Sequence, residues 1–153
     1  MINLDNVQFT AHQALINPWF KIFTRNALDI ALAQGLIPED YSAIVLDIDK
    51  LKKANEDYGK QGSSLRIRQS LDRYKDLAYT YFSGDEIVLF CSATDALGMC
   101  NRLQSDFHEN GLSATFVIGN CECGDWVSTL DYLSNVNDAV KGMGCRDCIK
   151  DFR

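Results

Sequence analysis

Hydrophobic and polar positions alternate between two periods along this chain. Behind Asn17-Pro18, an N-cap signal with proline at the first helical position, Trp19, Ile22, Phe23, Ala27, Ile30 and Ala31 recur at helical spacing until Gly35. Leu36 to Tyr41, with Pro38, reads as a turn, and Ala43 to Asp49 is apolar and β-branched enough for a buried strand. Asn55 to Gly62 is polar and glycine-bearing, which predicts a loop over a site. Ser64 to Lys75 predicts a helix with Ile67, Leu71 and Tyr74 on one face. Two strands follow, Leu77–Phe82 and Ile87–Cys91, joined by the tight turn Ser83-Gly84-Asp85-Glu86. Ala96, Cys100, Leu103 and Phe107 form the stripe of an amphipathic helix that Asn110-Gly111 ends. Ser113 to Gly119 is a further strand. Ser128 then caps a helix through Val140, with Leu130, Leu133 and Val140 facing inward. A hairpin inside an alternation of helices and strands predicts an α+β fold, a mixed sheet with helices packed against it.

Composition narrows the picture. The 153 residues suit one domain over residues 1–153 and leave no room for two cores. A formal charge of −6 disfavours wide contact with DNA or RNA, which needs a basic face, but leaves nucleoside triphosphates open if cations bridge the repulsion. No apolar run approaches the roughly 20 residues of a membrane span. The opening MINLDNVQFT lacks the apolar core of a signal peptide, so a cytoplasmic protein is expected. Six cysteines are then expected as thiols, with Cys91 and Cys100 in the core. The pairs Cys121-x-Cys123 and Cys145-x-x-Cys148 leave a structural Zn²⁺ site as the alternative to free thiols.

Two constellations carry chemistry. Asp47-Ile48-Asp49 closes the first buried strand, and alternation turns both carboxylates to one side. Like charges there are costly unless a cation neutralises them; a solvated strand end is the plain alternative. Ser83-Gly84-Asp85-Glu86 reads equally as an ordinary hairpin turn. Together, carboxylates on a strand end and on a nearby hairpin can converge on two metal ions that activate a ribose hydroxyl and neutralise a triphosphate. Gly84, without a side chain, would let a substrate approach the backbone.

Asp47-Ile48-Asp49-Lys50-Leu51-Lys52-Lys53-Ala54-Asn55-Glu56-Asp57-Tyr58-Gly59 resembles the DIDxFKxxNDxxGH stretch of GGDEF-type cyclases, and Ser83-Gly84-Asp85-Glu86-Ile87 resembles their signature. Asn17-Pro18 through Arg25, Ala27 and Leu28 is similar to the family's DPLTGLxNRRAL opening. Val117-Ile118-Gly119 is similar to its SIG strand, and Ala139-Val140-Lys141 with Gly144 to Arg146 to its closing ALYxAKxxGRN. The likeness implies a palm-type fold. It assigns Asp47, the Ile48 carbonyl and Asp85 to two Mg²⁺ or Mn²⁺ ions, with Asp49 and Glu86 as further acidic candidates and Asp47, Asp85 and Glu86 as the catalytic set. Asn55 with Ser63 or Ser64 would meet the base, Ser83 and Gly84 would lie along the nucleotide, and Lys141 and Arg146 would hold phosphates. A cation at a helix C-terminus is the alternative reading of those last two.

The departures point further. Serine and isoleucine replace the signature's first glycine and its phenylalanine, and Arg73-Tyr74-Lys75-Asp76 stands one residue farther from the signature than the family's inhibitory RxxD. Where guanine-using relatives carry a carboxylate, this chain has Ser63 and Ser64, and a hydroxyl that gives and accepts suits adenine better. In this the chain resembles the CRISPR polymerases, most of all the minimal ones (mCpol). That resemblance implies ATP as substrate, cyclic di-AMP as product, a homodimer and a role in antiviral defence. A catalytically silent nucleotide sensor and a diguanylate cyclase using GTP are the alternatives.

Overall fold

A computed structural model describes residues 15–82 and 85–153. In chain order the elements are α1 (Arg25–Ala33), β1 (Tyr41–Ile48), α2 (Leu51–Leu71), a 3-10 segment (Asp72–Leu77), β2 (Ala78–Thr80), β3 (Glu86–Ser92), α3 (Ala96–Glu109), β4 (Ala114–Asn120), α4 (Trp126–Gly142) and β5 (Ile149–Asp151). The strands form one mixed sheet in the order β2-β3-β1-β4-β5, antiparallel except for the parallel pair β4–β5. The fold is α+β, as the alternation predicts.

Central strand β1 is buried on both faces, so its residues sort alternately into two cores. Ile44, Leu46 and Ile48 join Ile67 and Leu71 of α2 and Leu103 and Phe107 of α3. Ala43 and Val45 join Leu28 of α1 and Leu130, Leu133 and Val140 of α4. Each fully buried Leu, Ile or Phe contributes about 1.5–3 kcal/mol of transfer free energy, so both layers are held firmly to the sheet. Gly119 is what lets α4 lie close. A Cβ placed there would stand 2.6 Å from a methyl of Leu133.

Three expectations need correcting. The helix predicted behind Asn17 begins only at Arg25, capped by Thr24, whose Oγ1 accepts from the Ala27 N–H. Asn17 does accept from the N–H groups of Trp19 and Phe20, at 2.8 and 2.9 Å. The chain there closes into a turn through Lys21 at φ 58° and then bridges from Phe23 to Tyr79. An Asx turn and a helix cap share their first hydrogen bonds, so the pattern alone does not separate them. Asn55 to Gly62 is helical, not a loop, and belongs to α2, which kinks at Gly59 with φ 73°. Its polarity marks an outward face. Finally, α4 starts before Ser128, with Asp125 as the cap accepting from the Ser128 N–H.

Candidate active site

The alternation that buries β1 also builds the site. Ala43 and Val45 face α4, and the next residue in that row is Asp47. Across the ladder Asp47 pairs with Glu86 of β3 on one side and Thr115 of β4 on the other. Two carboxylates directly opposite each other on neighbouring strands repel. Above them, α4 presents Ser134, Asp138 and Lys141, spaced four and then three residues apart and so on one helical face. One oxygen each from Asp47, Glu86 and Asp138 lies within 4.8 Å of the others.

The electrostatics follow from burial. Glu86 is only 6% exposed, and burial pushes its carboxyl to about 7; the Ser134 hydroxyl works against that shift, and nearby Asp47, Asp138 and Asp85 add to it. Burial likewise raises Asp47 to about 6 against the pull of Lys141, with Asp85 adding to the rise. Burial also raises Asp85. Asp47 Oδ1 and Glu86 Oε1 are buried with no hydrogen-bond partner, a costly arrangement for acceptor-only groups. Orphaned, converging, hard oxygen donors are what a divalent cation such as Mg²⁺ or Mn²⁺ takes, so the residues present fit that group.

Asp49 is placed differently. Its carboxylate accepts from Ser113 Oγ at 3.0 Å, Thr115 Oγ1 at 2.7 Å and the Asp147 N–H at 2.8 Å, and Lys141 Nζ stands 3.4 Å away. Lys141 also reaches Asp47 Oδ2 at 3.3 Å and donates to the Ile48 carbonyl at 3.3 Å. The carbonyl expected at the metals is therefore engaged by a lysine expected at phosphates. Arg146 turns back on the carbonyls of Lys141 and Cys145 beside the end of α4.

The residues expected at the base come together along α2. Ser63 Oγ donates to Asn55 Oδ1. Both line a cavity of about 190 Å³ together with Ser64, Trp19, Phe20 and Leu51. Ser83 and Gly84 lie outside the described residues. Among the described residues, Asp47, Glu86 and Asp138 form the one group of three or more potential metal ligands; the paired cysteines form none, and burial raises the Cys121 and Cys148 thiols. Sequence reasoning passed over Ser134 and Asp138. Their spacing of seven and three residues before Lys141 was the available signal, since it puts all three on one face.

No protein family and no curated protein matches the sequence. Solved structures do. A microbial GGDEF domain studied with bis-(3′,5′)-cyclic di-GMP superposes with a TM-score of 0.74 at 18% identity, covering 90% of this chain and 99% of that one. The GGDEF domain of DgcB from Caulobacter crescentus, in complex with c-di-GMP, gives 0.65 at 20% identity over 90% and 93%. A diguanylate cyclase/phosphodiesterase from Caldicellulosiruptor saccharolyticus gives 0.64 at 17% over 93% and 96%. No helix among the described residues is long and apolar enough to cross a membrane. The chain has the palm-like α+β fold of the GGDEF nucleotidyl cyclase domains, with a cluster of carboxylates suited to a divalent cation at the end of its central strands.

Proposed function

We propose that this protein is a nucleotidyltransferase that joins two nucleoside triphosphates into a cyclic dinucleotide. The observation that carries this reading is the pair of carboxylates Asp47 and Glu86, each with one buried oxygen left without a hydrogen-bond partner, in a chain that also holds a cavity lined by Asn55, Ser63 and Ser64. Asp47, Asp85 and Glu86 would hold the two Mg²⁺ or Mn²⁺ ions. Bound there, such ions activate a ribose hydroxyl and neutralise the triphosphate during in-line attack. Lys141, a compact charge on a flexible stem beside Asp47, is the residue best sited to hold a phosphate.

ATP is the substrate we favour. Because Asn55 Oδ1 already accepts from Ser63, its amide N–H₂ is left as a donor for the adenine N1 acceptor, and Ser64 can accept from N6. Among the described residues no carboxylate lines that cavity to receive the N1–H and N2–H of guanine. A guanine donor left unpaired there costs about 1–3 kcal/mol, roughly ten- to a hundred-fold in specificity. Closing the ring needs each triphosphate presented to the other's hydroxyl, which a two-fold homodimer provides. The resemblance to the minimal CRISPR polymerases supports cyclic di-AMP as the product and an antiviral signal as its use.

A second reading, a nucleotide sensor without turnover, draws on Lys141 and Arg146 both being engaged by the protein itself. Incubation with each nucleoside triphosphate and Mg²⁺ or Mn²⁺, with products identified by mass spectrometry, separates the two. Cyclic di-AMP is the expected product. A guanine product would make the protein a diguanylate cyclase, and nucleotide binding with no product would make it the sensor.

A further inference from the structure

We propose that α4 supplies a third carboxylate, Asp138, to a divalent-cation site shared with Asp47 and Glu86. Sheet and helix contribute to it from opposite sides. Asp47 and Glu86 are cross-strand neighbours fixed by the β1–β3 register, and Asp138 approaches them from α4, which packs on the same face through Leu130, Leu133 and Val140. The three oxygens fall within 4.8 Å of one another. Ligands of one hard cation, each at about 2.0–2.6 Å from it, lie no more than about 4–5 Å apart, so this spacing suits one shared ion.

The acidic cluster alone would not point to a ligand, but its buried member does. Glu86 is 6% exposed, and its Oε1 has no hydrogen-bond partner. Asp47 Oδ1 is orphaned in the same way. Asp138 makes no hydrogen bond or ion pair among the described residues, although Lys141 stands one helical turn further on and is taken up by Asp47 and Asp49. Of the carboxylates gathered here, Lys141 pairs only with Asp47 and Asp49, which leaves Glu86 and Asp138 with no cationic partner among the described residues. A cation at the three converging oxygens supplies the missing positive charge, and it ties α4 to the ends of β1 and β3. Asp138 in this role rests on reading these carboxylates as a cation site, and not on which product is made.

The test is Mn²⁺ binding to the metal-stripped chain without nucleotide, by calorimetry and by the loss of the free-ion paramagnetic resonance signal. Asp138→Asn should weaken Mn²⁺ at least about tenfold, Asp138→Glu less, and Asp72→Asn, an exposed carboxylate elsewhere, not at all. Thermal melts give a readout that a merely structural role would not reproduce. Without metal, Asp138→Asn should melt no lower than the wild type, because a repelling charge is gone; with Mn²⁺ it should gain less. Wild-type affinity in Asp138→Asn, or no Mn²⁺ binding by the wild type, would overturn the proposal. Mn²⁺ binding that needs Asp138, in a protein that makes nothing from any triphosphate, would uphold it while removing the cyclase reading.

Discussion

Asp47 and Asp49 stand two residues apart on the same side of β1's end, yet they live in opposite conditions. Asp49 is saturated: two hydroxyls, a backbone N–H and Lys141 surround a carboxylate whose side chain is 1% exposed. Asp47 has Lys141 on one oxygen and nothing on the other, and it faces Glu86 across the ladder. A buried charge whose donors are built in holds the fold together, here by tying the segment before β5 to the β1–α2 junction. One left short of donors is open to a ligand. Proximity in sequence therefore does not give the two aspartates of the DID stretch the same surroundings.

The widest separation should be in catalysis. Asp47→Asn and Asp85→Asn should each cut product formation on the order of a thousandfold or more, since removing a metal-bound carboxylate forfeits several kcal/mol of transition-state stabilisation. Circular dichroism should show both variants folded, and near-wild-type product by mass spectrometry from both would end the two-metal reading.

Asp49→Ala should instead show in stability. It orphans Ser113, Thr115 and the Asp147 N–H at once, and denaturant unfolding should register a loss of roughly 3 kcal/mol. If Asp49→Ala left stability intact while abolishing Mn²⁺ binding, the contrast between the two aspartates would be reversed.

A smaller effect is set by pH. Folding raises Asp47 from 3.8 to about 6 and Glu86 from 4.5 to about 7. Between those values the folded state binds more protons than the unfolded one, so stability falls as pH rises. This contribution is fully present below about pH 4 and is lost as pH climbs through about 7. Metal-free protein should accordingly melt higher at pH 5.5 than at pH 7.5, and saturating Mn²⁺ should narrow the gap. A metal-free melting temperature that rises from pH 5.5 to 7.5 would show that other groups control this window.

Much of this architecture was legible in the chain. The stripes at Ala96, Cys100, Leu103 and Phe107, and at Leu130, Leu133 and Val140, are buried as their spacing requires. The alternation of β1 placed Asp47 and Asp49 on one side. What stayed hidden depends on long-range pairing. The partners that saturate Asp49 lie 64 to 98 residues away, and no local pattern separates a cradled aspartate from an open one. The kinked α2 was concealed because its exposed turns are as polar as a loop, and only Gly59 marks the bend. Asp138 was readable by helical spacing from Lys141, but it becomes meaningful only once the β1–β3 register sets Glu86 beside Asp47.

The most direct measurement is the melting temperature of Asp47→Asn at pH 7.5, with and without Mn²⁺, beside the wild type. If Asp47 is a carboxylate held short of donors for a cation, the variant melts higher than wild type without metal, because an unfavourably buried charge has gone, and Mn²⁺ no longer stabilises it. A variant that melts lower without metal, or that keeps the full Mn²⁺ shift, would contradict the account.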